Sequence, residues 1–280
     1  MCSSDLDNYQ SKYKSSPKGI KCDGQINIAG GELNITTSGA GGEGIESKTY
    51  LYVTDGTLEV YSYDDAINTT NNMYLQGGKI YARSTNNDAI DSNSSLFIEG
   101  GTIVAYSNKT PETALDVDSP GYIKITGGTV LAVGLNNMIV TPNSSSTQPS
   151  IYAYTSLSNT NYALTGPNGV VVAFKPEVYS SSSNFAPQYV GNASKVSAAG
   201  PGGPGGQGGS SSFCVIITSP NLAKGSSYTL YSGSTVSGTL WHGLYESPTV
   251  SSNGSKVGTV SSLSSPYSSI NSSSSGGGWW

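Results

Sequence analysis

The chain repeats itself, and the repeat is short. A small residue followed by an aliphatic one occurs at Gly19-Ile20, Gly44-Ile45, Ala66-Ile67, Ala89-Ile90 and Ala114-Leu115, at spacings of 25, 22, 23 and 25 residues. A second landmark follows in each copy: Gly30-Gly31, Asp55-Gly56, Gly77-Gly78, Gly100-Gly101 and Gly127-Gly128. Around these lie alternating stretches such as Leu51-Tyr52-Val53 and Leu58-Glu59-Val60. Period-2 alternation bounded by glycine turns reads as strands. A unit this small cannot bury an apolar face alone, so copies must stack. The pattern therefore predicts an all-β fold, a right-handed single-stranded parallel β-helix with a strand-rich C-terminal cap.

Four inward columns follow from that stacking. Ile26, Leu51, Met73, Leu96 and Ile123 form the first, and Ile28, Val53, Leu75, Ile98 and Ile125 the second. Leu33, Leu58, Ile80, Ile103 and Val130 form the third, and Ile35, Val60, Ala82, Ala105 and Ala132 the fourth. A leucine-rich horseshoe has a similar period, but its Leu and Asn pattern and helical arm are missing. Hydrophobic residues make up 35% and charged residues 11%, with 36 Gly, 19 Tyr and only 4 Phe, which suits strands and turns rather than helices.

Beyond Gly134 the repeat fades, with Asn137-Met138-Ile139 a candidate sixth coil. Ile151-Tyr152-Ala153-Tyr154, Val170–Phe174, Cys214–Ile217 and Tyr228–Tyr231 read as further strands. The organisation expected is an N-terminal segment over 1–16, the solenoid and its cap strands over 17–245 with a Gly/Pro-rich loop at 199–211, and a Ser/Gly-rich tail over 246–280. Cys2, Cys22 and Cys214 cannot all pair internally; Cys22–Cys214 is one possible disulfide. Met1-Cys2-Ser3-Ser4 resembles the start of a mature bacterial lipoprotein, and an accidental cysteine near a ragged terminus is the alternative. No apolar stretch approaches the ~20 residues of a membrane span. A net charge of −5 without a basic patch argues against nucleic acid.

The outward positions carry the chemistry. Glu43, Asp65 and Asp88 precede the small residue on successive coils, with Asp64, Asn87 and Glu112 one position earlier. Glu46, Asn68, Asp91 and Asp116 follow the aliphatic residue, and Asp118 lies two further on. Coils stack ~4.8 Å apart, so nine carboxylates crowd one corner. Like charges at such separations repel by ~1 kcal/mol per pair even in water. Hard oxygen ligands in excess, without His or Cys, point to Ca²⁺, two or three ions between adjacent coils. The plainer reading is a solvated acidic edge built of turn residues.

Aromatic residues form two outward columns. Tyr52, Tyr74 and Phe97 make one; Tyr61, Arg83 and Tyr106 make the other, with Tyr63 beside it. Exposed rings stack on sugar faces, and an arginine pairs with a uronate carboxylate. The alternatives are a ladder that only stabilises the sheet, or one covered by the C-terminal segment.

Lys18-Gly19-Ile20-Lys21, Gly39–Lys48, Tyr63–Asn68, Asn87–Asn93 and Pro111-Glu112 with Asp116-Val117-Asp118 together resemble a bacterial carbohydrate-binding family. It is typified by a clostridial protein that binds cellulose and polygalacturonic acid. The resemblance covers roughly residues 17–245 and is strongest over 17–135. It implies a right-handed parallel β-helix like that of pectate lyases, calcium ions on the acidic corner, and a non-catalytic binding role at acidic or neutral plant cell-wall polysaccharide. The implied calcium ligands are the acids named above. Ala66, Ala89 and Ala114 stand where that family has Gly, and Thr113-Ala114-Leu115 replaces a Gly-Gly-Phe-like run. Such a protein is expected outside the cell or on its surface, attached through Cys2 in one version. Two alternatives stay open. One is a calcium-dependent pectate lyase-like enzyme with Arg83, Lys48 or Lys79 as base. The other is a structural or adhesive solenoid that self-associates through its ends. His242 shows no sequence-adjacent Asp or Ser partner and receives no catalytic role.

Overall fold

Each coil turns where the glycine pair stands. A Cβ on Gly77 would meet the carbonyl oxygen of Thr54, on the coil beneath, at 2.1 Å, and one on Gly100 would meet that of Gln76 at 2.2 Å. The second glycine of each pair takes a left-handed backbone, with φ of 77° at Gly78 and 79° at Gly101. One glycine makes room and the other makes the bend. The computed structural model describes residues 2–5, 16–107, 109, 111–136, 138–177 and 213–271. Within them the repeat becomes five stacked parallel coils.

Two sheets run up the stack. In the first, Lys18–Cys22, Glu43–Ser47, Ile67–Thr69, Ile90–Ser92 and Leu115–Val117 pair in parallel, and Cys2–Asp5 adds antiparallel to Lys18–Cys22. In the second, Ile26–Thr36 and Leu51–Ser62 are continuous strands. The next three coils break at the glycine pair into Met73–Leu75 and Lys79–Ser84, Leu96–Ile98 and Thr102–Ser107, and Ile123–Ile125 and Thr129–Leu135. The registers reproduce all four inward columns: Leu51 lies beside Met73 and Met73 beside Leu96, and Leu58, Ile80 and Ile103 lie side by side. These side chains are fully or almost fully buried. Each such Leu, Ile or Met contributes ~1.5–3 kcal/mol by leaving water.

The stack does not extend to a sixth coil among the described residues; Pro142 makes a single bridge to Ile123. The second sheet instead continues through Phe213–Thr218, antiparallel to Thr129–Leu135, then Ser150–Thr155 and Tyr267–Asn271. A third, six-stranded sheet orders Thr235–Trp241, Leu244–Ser252, Gly169–Phe174, Tyr162–Gly166, Tyr228–Ser232 and Ser255–Val260. It is antiparallel throughout and lies over the outer face of the second sheet. There Tyr81, Val104, Leu131 and Val133 meet Leu164, Phe174 and Leu230 in a second core.

The expected tail from 246 is therefore wrong over most of its length, since strands carry the fold to Asn271. Residues 272–280, the Gly/Pro-rich loop at 199–211 and most of 1–16 lie outside the described residues. Cys22 and Cys214 do not bond to each other. No helix is long and apolar enough to cross a membrane among the described residues.

Candidate functional site

Because Ile45, Ile67, Ile90 and Leu115 point into the core, the residue after each points out. The first sheet thus sets Lys21, Glu46, Asn68, Asp91 and Asp116 side by side across five coils. Asp65 and Asp88 sit at the preceding corner, both buried. Each reaches up one coil: the backbone N–H of Asp88 donates to Asp65 Oδ1 at 3.1 Å, and that of Thr113 to Asp88 Oδ1 at 2.5 Å. Asn68 bridges two acids, its Nδ2 donating to Asp65 Oδ2 at 3.1 Å and to Asp91 Oδ2 at 2.7 Å. Asn87 Nδ2 donates to Asp64 Oδ1 at 2.7 Å. The vertical registry expected of Glu43, Glu46, Asp64, Asp65, Asn68, Asn87, Asp88, Asp91 and Asp116 is present, with half-buried Glu112 and exposed Asp118 at its far end.

The seam has two electrostatic halves. At the first coils, Lys18 pairs with Glu43 at 2.6 Å, Lys21 with Glu46 at 2.9 Å, and Lys48 also contacts Glu46. Burial alone would raise the Glu46 carboxyl, yet the three lysines outweigh it and hold that carboxyl below the usual range. Glu43 stays somewhat raised because burial outweighs Lys18, and its Oε2 is buried with no hydrogen-bond partner among the described residues. Higher up, no lysine pairs with the acids among the described residues. Burial, then the neighbouring acids, push Asp65 up to about 8 and Asp91 up to about 9. Burial likewise pushes Asp88 up to about 7 against the backbone bond from Thr113. Burial also raises Asp116. Among the described residues no three acidic, His or Cys side chains are arranged closely enough to hold a metal ion as they stand. The donor set itself is all hard oxygen, and its buried carboxylates lack compensating charge; both fit a divalent cation such as Ca²⁺.

The two aromatic columns part company. Tyr52 and Tyr74 stack at 4.7 Å and 3°, and Tyr74 and Phe97 at 4.7 Å and 10°. These rings are half-buried, and the ladder ends in two exposed rings, Tyr50 and Tyr122. Both faces of Tyr74 are thus taken by its neighbours, leaving ring edges, its hydroxyl and the ladder ends to solvent. Sequence reasoning missed Tyr50 and Tyr122; each stands immediately before a first-column core residue.

The other column is not an exposed strip. Tyr106 is 1% exposed and Arg83 2%, because the third sheet covers them; Tyr61 and Tyr63 are half-buried. Arg83 Nη1 donates to Glu177 Oε2 at 2.6 Å, Tyr81 Oη donates to the same oxygen at 2.9 Å, and the guanidinium lies 5.9 and 5.8 Å from the Tyr61 and Tyr106 ring centres. Arg83 is committed to the cap, so it does not face a uronate. Against the pull of burial, its partners Tyr81 and Glu177 hold it charged. Lys48 and Lys79 are likewise paired, with Glu46 and Glu246. His242 has partners the sequence did not reveal: Glu59 at 3.0 Å and Glu177 at 3.8 Å.

Residues 5–89 match a family model described as a carbohydrate-binding domain-containing protein. No curated protein and no solved structure matches the chain. The matched stretch is roughly three-tenths of the chain. It includes both halves of the seam as far as Asp88, together with Tyr50, Tyr52 and Tyr74. The match supports carbohydrate binding.

Proposed function

We propose that this protein binds plant cell-wall polysaccharide through calcium, with acidic polymers of the polygalacturonate and pectin type as its main ligands and no catalytic role. The supporting observation is the uncompensated half of the seam: buried Asp65 and Asp88 and half-buried Asp91 are in register and raised to about 8, 7 and 9, with no lysine ion pair among the described residues. Ionised, three such groups carry an electrostatic cost that a divalent cation offsets in place of protons. Asp65, Asn68, Asp88, Asp91 and Asp116 would hold the ions, two or three in number, and Asp64, Asn87, Glu112 and Asp118 would complete the rim. Calcium so held supplies open coordination positions for sugar carboxylates. Glu43 and Glu46 take another part: salted to lysines, they anchor the first coils rather than ligate. The exposed ends of the Tyr52–Tyr74–Phe97 ladder offer apolar contact to neutral chains such as cellulose. Such polymers lie outside cells, and an extracellular or surface-attached setting follows from the ligand.

Isothermal calorimetry against polygalacturonate, with and without EDTA, tests the reading. Binding is expected with calcium and lost on chelation. Equal binding in both conditions would overturn the calcium bridge, and formation of unsaturated product absorbing in the near ultraviolet would overturn the non-catalytic assignment.

A further inference from the structure

The chain has one histidine and one arginine, and the fold brings them to the same glutamate. His242 sits at the tip of the hairpin Thr235–Trp241 and Leu244–Ser252, with a left-handed backbone, φ 44°. That hairpin joins the rest of the third sheet by a single residue pair, Leu244 with Phe174, plus the bond from Lys175 N–H to the Gly243 carbonyl. Its tip is fastened further within the cap, by Glu177 and by Tyr245 Oη donating to Asn161 Oδ1 at 3.0 Å, and across to the solenoid. The imidazole lies flat on Tyr81, centroids 3.8 Å apart and planes at 14°. Its Nε2 stands 3.0 Å from Glu59 Oε1, on the second coil, and its Nδ1 3.8 Å from Glu177 Oε1. Tyr106 Oη donates to the His242 carbonyl at 3.2 Å, and Lys79 pairs with Glu246 and lies 4.6 Å over the Trp241 ring.

From this arrangement we propose that His242 is a proton-dependent clasp, holding the tip of the cap hairpin on the solenoid when its imidazole is charged and releasing it when neutral. The geometry favours the charge. Both ring nitrogens face carboxylates, at 3.0 and 3.8 Å, and only an imidazolium is attracted to both. A neutral ring loses its charge pairing with both glutamates and turns a lone pair toward Glu177. Glu177 does not move away to relieve this, because Arg83 and Tyr81 both donate to its Oε2. The groups that face His242 are therefore Glu59 from the second coil, Tyr81 and Arg83 from the third, Tyr106 from the fourth, and Glu177, Lys79 and Glu246 around the rim. Burial pulls the imidazole down, but the two glutamates outweigh it and raise it above its ordinary value. The sign follows: the clasp is fully closed below the unfolded-state value near 6.5, and it opens as pH rises through the raised folded value.

A single imidazole resonance in the full-length protein reports this group without ambiguity. In wild type it is expected to titrate above the ordinary histidine range, and Glu59→Gln is expected to bring it down. Hydrogen exchange of the Gly243, Leu244 and Tyr245 amides, corrected for intrinsic rates, is expected to slow by about tenfold for each unit of upward shift as the ring charges. His242→Asn tolerates the left-handed backbone and removes the charge; its hairpin should exchange fast at every pH. The comparison between wild type and this variant isolates the imidazole, since the acidic seam titrates over an overlapping range. An imidazole that titrates at or below the ordinary value, or hairpin exchange with the same pH dependence in His242→Asn, would overturn the clasp. Neither readout involves polysaccharide or calcium, so the result is independent of the function proposed above.

Discussion

The lower and upper halves of the acidic seam set carboxylates in the same column and meet opposite fates. Below, Glu46 lies within reach of Lys18, Lys21 and Lys48 and is held ionised. Above, Asp91 and Asp65 share only the amide of Asn68, and burial drives them toward the protonated form. An amide dipole offsets part of a carboxylate's desolvation cost; a lysine offsets its charge. The lower half is thus a finished structural joint, while the upper half is stable at neutral pH only with a cation or a proton.

The largest expected effect tests the lower half. Glu46→Ala removes the acid shared by Lys18, which keeps Glu43, and by the more exposed Lys21 and Lys48, and should cost up to about 3 kcal/mol in denaturant unfolding; a loss under about 1 kcal/mol would mean the joint is ornamental. Next comes the upper half. Calcium at a hundredfold its dissociation constant should raise unfolding free energy by about 2.7 kcal/mol. Asp91→Asn should remove that gain while Glu46→Gln keeps it, and the reverse outcome would exchange the roles of the two halves. Third is pH. In chelator the three raised aspartates give stability that is full below their unfolded value near 3.9 and is lost as pH rises through about 7, 8 and 9. Glu46 acts with the opposite sign, losing its contribution as pH falls through its lowered value. Thermal scans of metal-free protein should show stability falling by at least about 2 kcal/mol from mildly acidic to alkaline pH, and calcium should flatten the slope. The smallest effect serves as an uncharged reference. Tyr74→Ala removes two ring stacks and should cost about 1 kcal/mol, with no dependence on calcium or pH.

Much of this was legible from spacing. Every inward column and the Glu46–Asn68–Asp91–Asp116 line appear in the predicted register. In a solenoid each coil pairs with its sequence neighbour, so local repetition translates directly into vertical contact. The lysine joint was half legible: Lys21 aligns with Glu46 by the same count, and Lys48 lies two residues along the chain from it. The aromatic columns were half legible: cover by the C-terminal segment was one reading left open, but not which column it takes. Tyr52–Tyr74–Phe97 is half-buried, whereas Arg83 and Tyr106 are buried beside half-buried Tyr61. A signal was present in Val104, Leu131 and Val133, apolar side chains at outward positions that called for a cover.

By itself, then, the amino-acid order determined the coil, its inward columns and which acids share a corner, because those depend on contacts some 22 to 25 residues apart that recur with the repeat. The tertiary structure alone decided which outward residues remain available. The cap joins Glu177 to Arg83 and Tyr81 across 94 and 96 residues, and the Tyr106 hydroxyl to the His242 carbonyl across 136. Pairings of that kind have no period to betray them. They exist because an antiparallel sheet folds back over an apolar face that the solenoid, on its own, leaves in water.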